Sequence, residues 1–146
     1  GIAICYDAEF PPIVRAMARA GAWLVLVPAC TDTEAGATRV TVSARARAIE
    51  NQAVVAVAPT VGDAPWCASL DANRGRAGLY GPADRGFPPD GIIAEGPRDA
   101  PGAVIAALDP AAIAAVREHG AVRNHRDWPA EPVACAVVAP AAPVPA

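Results

Sequence analysis

No lysine occurs in the chain: all twelve positive charges are arginine, set against fifteen acidic residues for a formal net charge of −3. No ammonium side chain within these residues can serve catalysis. No basic block or stripe is present either, so the electrostatic footprint for nucleic acid or an anionic membrane surface is lacking. The longest apolar run, Asn51 to Thr60, falls far short of a bilayer span. The chain does not open on methionine, and no positively charged segment precedes an apolar one, so no signal peptide is expected. Cys5, Cys30, Cys67 and Cys135 form no CxxC pair and no compact disulfide scaffold, which points to a reduced, cytoplasmic setting. Metal-ligand spacing, a phosphate-binding glycine loop after a strand, a GxSxG elbow and internal repeats are all absent. No metal and no cofactor is expected.

What remains is a folded chain of one domain's size. Its 146 residues are 53% apolar and 18% charged, too apolar for disorder and long enough for a substantial core. Gly1 to Tyr6 reads as a strand and Pro11 to Ala20 as a helix. That helix has two prolines in its first turn, an apolar stripe of Ile13, Met17 and Ala20, and Gly21 to stop it. Trp23 to Val27 is a continuous apolar strand, and Thr31 to Gly36 a polar loop. A second helix is expected over Thr41 to Asn51 and a third strand over Ala53 to Ala58. Strands apolar on both faces, alternating with helices, indicate a layered α/β fold. Val61 to Gly91 carries a series of turn signals and reads as loops with short antiparallel strands, Ala77 to Tyr80 among them. Gly91 to Gly96 and Ala103 to Leu108 are expected to form a hairpin, and Pro110 to Glu118 a last helix capped by Asp109. Residues 1–129 thus form one domain, followed by a Pro/Ala-rich tail over 130–146 in which Val133 to Val138 reads as an edge or intersubunit strand.

Chemistry concentrates at the first strand. Cys5 stands where that strand meets a helix start, and helix N-terminal amides favour a thiolate and hold an oxyanion. Asp7 is placed to accept backbone N–H bonds in the turn, and Glu9 either lines a pocket or is solvated. Arg15 is in reach of an ion pair with Asp7. Arg47 and Glu50 are three apart on one helical face, and with Asn51 they form a polar set that either sits on the surface or bonds loop backbone around the site. Cys30, just after the second strand, falls on the same sheet edge as Cys5 if the strands are parallel. His119 and His125 lie in polar C-terminal sequence where a cysteine–histidine enzyme would not place its base.

Taken in order, these segments resemble the nitrilase, or carbon–nitrogen hydrolase, superfamily. The apolar strand into Cys5-Tyr6-Asp7, then Phe10-Pro11, Arg15 and Gly21-Ala22, is similar to its nucleophile region. Arg45 to Asn51 before an apolar strand resembles its second landmark. Gly91 to Gly96, Ile105 to Asp109, Arg117 and Arg123 to Trp128 follow its closing segments. Pro12 stands where the family usually has glutamate. The resemblance implies part of a four-layer α-β-β-α sandwich, no cofactor, and assembly into oligomers. It implies Cys5 as the nucleophile, with Tyr6 lending its N–H to the oxyanion, Glu9 and Cys30 lining the pocket, and Asp7, Arg15, Arg47, Glu50 and Asn51 supporting it. The expected partners are water and a small amide or nitrile, hydrolysed through a thioester. The family's catalytic glutamate and lysine precede its cysteine, and only four residues precede Cys5 here. The chain alone is therefore expected to be inactive, as part of a complete hydrolase or, alternatively, as an inactive fragment or pseudoenzyme with an association role.

Overall fold

The structure, a computed structural model, describes residues 1–130. The tail strand expected over Val133 to Val138 and the fourth cysteine, Cys135, lie outside the described residues.

A mixed sheet in the order β1-β2-β5-β6 forms the centre: β1 (Leu24–Ala29), β2 (Val54–Pro59), β5 (Gly78–Tyr80) and β6 (Ile92–Glu95). β1 and β2 run parallel in the register Leu24↔Val54 to Ala29↔Pro59, and the other two pairings are antiparallel. The first strand is far shorter than its apolar run suggests. Ile2 makes a single parallel bridge to Leu26, with the Ala3 N–H donating to the Leu26 carbonyl at 2.9 Å, and the chain then leaves for a 3-10 helix over Cys5–Glu9. That segment occupies the sheet edge beside β1. Two-residue strands β3 (Gly62–Asp63) and β4 (Ala72–Asn73) form a separate ribbon.

Helices cover one face of the sheet. Val25, Val27 and Ala29 of β1 and Val55 and Val57 of β2 point to that side, as strand alternation requires, and join one buried cluster with residues of α1 (Pro11–Arg19) and α2 (Glu34–Asn51). α1 buries Val14 and Ala18; of the expected Ile13–Met17–Ala20 stripe only Met17 packs against the core, while Ile13 and Ala20 remain exposed. The stripe is offset because Arg15, also buried, has polar partners that hold its side of the helix inward. α2 is seven residues longer than expected. Thr33 caps it, its hydroxyl accepting the Gly36 N–H at 3.2 Å, so Glu34 to Gly36 belong to the helix and not to a loop. Gly36 suits that position, since a Cβ would lie a tight 3.0 Å from that of Thr31. Along α2, Ala37, Val40, Ala44 and Ala48 recur at helical spacing and are all buried. On the opposite face of the sheet Ile2, Ile4 and Leu26 stand exposed.

The expected hairpin does not form. β6 pairs with β5, with Gly78 opposite Glu95, while residues 103–108 run without strand pairing and Ile105 is 88% exposed. β6 takes β5 as its antiparallel partner, and the Ala103–Leu108 run, following Pro101 and Gly102, stays unpaired although β6 ends the sheet.

α3 (Pro110–His119) begins at Asp109, whose carboxylate accepts the Ala111 N–H at 2.8 Å, and a short α4 (Asn124–Asp127) follows it. Both are tied to the end of α2. Gln52 takes the left-handed conformation there, φ 42°, a strained place for a side-chain-bearing residue. Its buried amide offsets that cost, donating to the carbonyls of Val116 at 2.9 Å and Val122 at 3.0 Å and accepting the His125 N–H at 3.1 Å. Arg117 donates to the carbonyls of Gln52 and Ala22, both at 2.9 Å.

Burial, then the nearby Arg117 and Arg15 charges, hold the His125 imidazole below its ordinary range, against a smaller opposing effect of the Ala18 carbonyl. The unfolded chain therefore takes up this proton at higher pH than the folded chain does. The stabilisation is complete above roughly pH 6.5 and declines as pH falls through that value. Thermal unfolding followed from about pH 7.5 down to about pH 5 should show a drop in Tm that His125→Gln reduces; identical slopes in the two proteins would exclude His125 as its source.

Candidate active site

Cys5 sits at the point where the edge segment leaves the sheet. Its φ of 47° puts a non-glycine residue in the left-handed region, and such conformations persist only where the surroundings enforce them. Asp7 provides much of that enforcement. Its carboxylate accepts the Ile4 N–H at 3.0 Å while its own N–H donates to the Ile4 carbonyl at 2.9 Å, closing the turn from both sides. This is the anchoring role its position predicts. Tyr6 follows in the first helical turn, where N–H groups point out of the ladder. Its ring is 64% exposed and packs edge-on against Phe10, centroids 4.8 Å apart.

From below, the turn is gripped by α2. The buried Arg47 guanidinium pairs with Glu50 through two contacts, Nη2–Oε1 at 3.0 Å and Nε–Oε2 at 2.8 Å. Its Nη1 reaches the backbone carbonyls of Ala8 at 3.4 Å and Glu9 at 3.3 Å. Of the two readings open for this set, the structure has the one in which it bonds loop backbone. Asn51 accepts from Arg15 at 3.3 Å and donates to the Arg47 carbonyl at 3.0 Å, linking α1 to α2. The expected Asp7–Arg15 ion pair is absent. Arg15 points the other way, to Asn51 and the His125 carbonyl, with its guanidinium 5.2 Å from the Trp128 ring centroid. Asp7 is already engaged by backbone N–H, which leaves Arg15 no reason to turn toward it. The Glu9 carboxylate lies 3.5 Å from Arg39 of α2.

Because the edge segment and β1 are parallel, Cys5 and Cys30 emerge at the same sheet edge. The half-buried Cys5 thiol donates to the Cys30 carbonyl at 3.5 Å. Cys30 in turn places its own sulfur 3.3 Å from the Asn73 carbonyl oxygen, Oδ1. Asn73 and Thr60, whose hydroxyl donates to the same oxygen at 2.8 Å, are residues that sequence reasoning missed. They lie in a turn-rich stretch with no periodic pattern to mark one polar residue as buried. Among the described residues no cluster of histidine, cysteine and acidic side chains has the makings of a metal site. No described helix is long and apolar enough to cross a membrane.

This geometry, a cysteine held in a left-handed turn at the exit of a parallel strand, agrees with comparison against known proteins. The carbon–nitrogen hydrolase family model matches residues 1–118, and the chain belongs to that family. It is 36% identical over 126 residues to a Bacillus subtilis protein named "Probable hydrolase YhcX", covering 86% of this chain and 25% of that protein. Saccharomyces cerevisiae Nit3, described as a member of branch 10 of the nitrilase superfamily, superposes with a TM-score of 0.65 at 27% identity, over 80% of this chain and 40% of its own. An amidase from Nesterenkonia sp. AN1 superposes with a TM-score of 0.52 at 31% identity, over 69% of this chain and 34% of its own. That structure, of a mutant of the amidase, shows covalent addition of the acetamide moiety of fluoroacetamide at the active site cysteine. The chain thus spans between a quarter and two fifths of the length of these proteins.

Arg47→Ala should remove the clamp under the Cys5 turn and leave Glu50 without its cation. A loss of about 3 kcal/mol is expected for a broken, largely buried pair, read from the urea midpoint. A loss below about 0.5 kcal/mol would place the pair among inconsequential surface contacts.

Proposed function

We propose that this chain carries the nucleophile of an amide hydrolase, with Cys5 attacking the carbonyl carbon. The observation that carries the reading is the half-buried Cys5 sulfur at the head of a turn locked in a left-handed conformation by Asp7 and gripped by Arg47. A second support is the family neighbour whose active site cysteine is covalently modified by an acetamide moiety.

The Cys5 thiolate forms a bond to the amide carbonyl carbon, and the carbonyl π electrons move to oxygen. The Tyr6 N–H is placed to stabilise that oxyanion. Collapse of the intermediate breaks the carbon–nitrogen bond, and nitrogen takes a proton and leaves as ammonia or an amine. Water then adds to the thioester carbon, the sulfur departs and is reprotonated, and the carboxylic acid is released. Amides are preferred over nitriles here because the structural neighbour with a modified cysteine is an amidase. Asp7 and Arg47 hold the turn, Glu50 and Asn51 hold Arg47, and Arg15 acts only through Asn51, while Glu9 and Cys30 border the acyl group.

A proton carrier and a second oxyanion donor complete this chemistry. In residues 1–146 there is no lysine, and Glu9 and Glu50 are committed to Arg39 and Arg47. We infer that these residues alone turn over amides poorly, since each such group contributes about 10²- to 10⁴-fold. The exposed Ile2, Ile4 and Leu26 support association of the sheet face, as an oligomer or with further chain. The free thiols of Cys5, Cys30 and Cys67 support a reducing, cytoplasmic setting.

In the complete protein Cys5→Ala should abolish hydrolysis of small aliphatic amides, and Cys30→Ala should retain measurable turnover. Iodoacetamide should label Cys5 faster than Cys30 or Cys67 by peptide mass mapping. Equal amide turnover with and without the Cys5 sulfur would end this mechanism.

A further inference from the structure

Beyond the nucleophile's own turn, the chain between Gly62 and Asn73 leaves β2's exit, runs out as a compact loop and returns through β4. It has internal backbone bonds, from the Ala64 N–H to Asp71, from Cys67 to Ala64 and from Leu70 to Cys67, at 2.8, 2.9 and 2.9 Å. At its tip Trp66 is 84% exposed, and Leu70 is exposed as well, an unusual place for the bulkiest apolar side chain. The base of this excursion is fastened to the segment that follows β1. The Thr60 N–H donates to Ala29 at 2.9 Å, the Arg74 N–H to Thr31 at 2.7 Å, and the Thr31 hydroxyl to the Arg74 carbonyl at 2.7 Å.

Asn73 is the side chain in which these ties meet. It is buried, and its amide group uses its full capacity. Oδ1 accepts from Thr60 at 2.8 Å and from the Cys30 thiol at 3.3 Å, while Nδ2 donates to the carbonyls of Gly62 at 3.1 Å and Leu70 at 2.7 Å. Two of its partners lie within the excursion. A third, Cys30, carries the carbonyl that faces the Cys5 sulfur at 3.5 Å. One amide therefore connects the residue touching the nucleophile to both ends of the loop bearing Trp66.

We propose that Asn73 is a positioning residue that seats the Gly62–Asn73 excursion against Cys30 at the sheet edge where Cys5 emerges, so that the loop limits which acyl chains reach the sulfur. The proposal rests on Cys5 being the reactive cysteine. Asn73 touches no substrate; it acts by holding Cys30 and the loop in one register. Asn73→Asp keeps an acceptor for Thr60 and Cys30 but replaces the two N–H donors with oxygen facing the Gly62 and Leu70 carbonyls, which frees the loop. Thr60→Val removes one exposed hydroxyl from the same clasp and loosens it less.

The test measures alkylation of Cys5 in the complete protein by iodoacetamide and by the bulkier 2-iodohexanamide, read by peptide mass mapping, so that no turnover is required. The wild-type rate ratio favours the small reagent. In Asn73→Asp that ratio should fall about tenfold, the scale of one altered pocket wall, and in Thr60→Val it should fall by about threefold. A general loss of structure would also erase the discrimination, so the ratio is read in variants that keep a cooperative urea transition. A ratio within twofold of wild type in Asn73→Asp overturns the proposal; where that variant does not fold, an unchanged ratio in Thr60→Val does so. The amidase reading fails separately, if wild-type protein discriminates between the reagents yet hydrolyses no amide.

Discussion

The site depends on one buried guanidinium. Arg47 lies inside α2 and faces the underside of the Cys5–Glu9 turn, where two backbone carbonyls have no helix or strand to receive them. Burying those carbonyls without a donor would cost on the order of 1–3 kcal/mol each, and burying the arginine without an anion would cost more. Glu50, one turn further along the same helix, resolves the second problem, and the Arg47 Nη1 that reaches both carbonyls resolves the first. The ion pair therefore does more than join two side chains. It makes the conformation of the loop and the packing of the helix conditions for each other. A cysteine in a left-handed conformation is tolerable on such a base because the residues after it cannot relax away.

The alternating order of strand and helix through residue 60 was legible, because apolar runs of strand length and alanine-rich helical stretches are local signals. The helix ends were less so. The start of α2 was misplaced because Thr33 acts as a cap only when its hydroxyl meets the Gly36 N–H, and a run of small polar residues looks equally like a loop. The false hairpin has a different cause. Pairing depends on segments distant in sequence, and β6 pairs with β5 while the Ala103–Leu108 run makes no strand pairing. At the site, Cys5, Asp7 and the Arg47–Glu50–Asn51 set were readable from strand-turn spacing and family resemblance. Arg15 was expected to pair with Asp7, and nothing in local spacing reveals that His125, 110 positions later, offers it a carbonyl instead. Asn73 left no trace, for its significance lies wholly in four tertiary contacts.

The two faces of the sheet differ in kind. Toward α1 and α2 small side chains interdigitate, alanine from the helices against valine from the strands, which lets the helices approach closely and brings Arg47 within reach of the turn. On the other face Leu26 stands between Ile2 and the centre of the sheet with no helix over it. Cys5 is thus carried by an edge segment that is well packed on one side and uncovered on the other. Its rigidity comes from the turn and the clamp rather than from a complete set of strand neighbours.

The ribbon of β3 and β4 has a consequence for how such a scaffold diversifies. A loop whose two ends are already hydrogen-bonded to each other is closed at its base, so lengthening it costs only an entropy that grows with the logarithm of the added residues. Insertions at the tip would leave Gly62 and Asn73 paired and transmit no displacement to the strands beneath. New tip sequences can therefore be accommodated while the turn that carries Cys5 and its Arg47 clamp keep their geometry, a separation of a changeable rim from a fixed base.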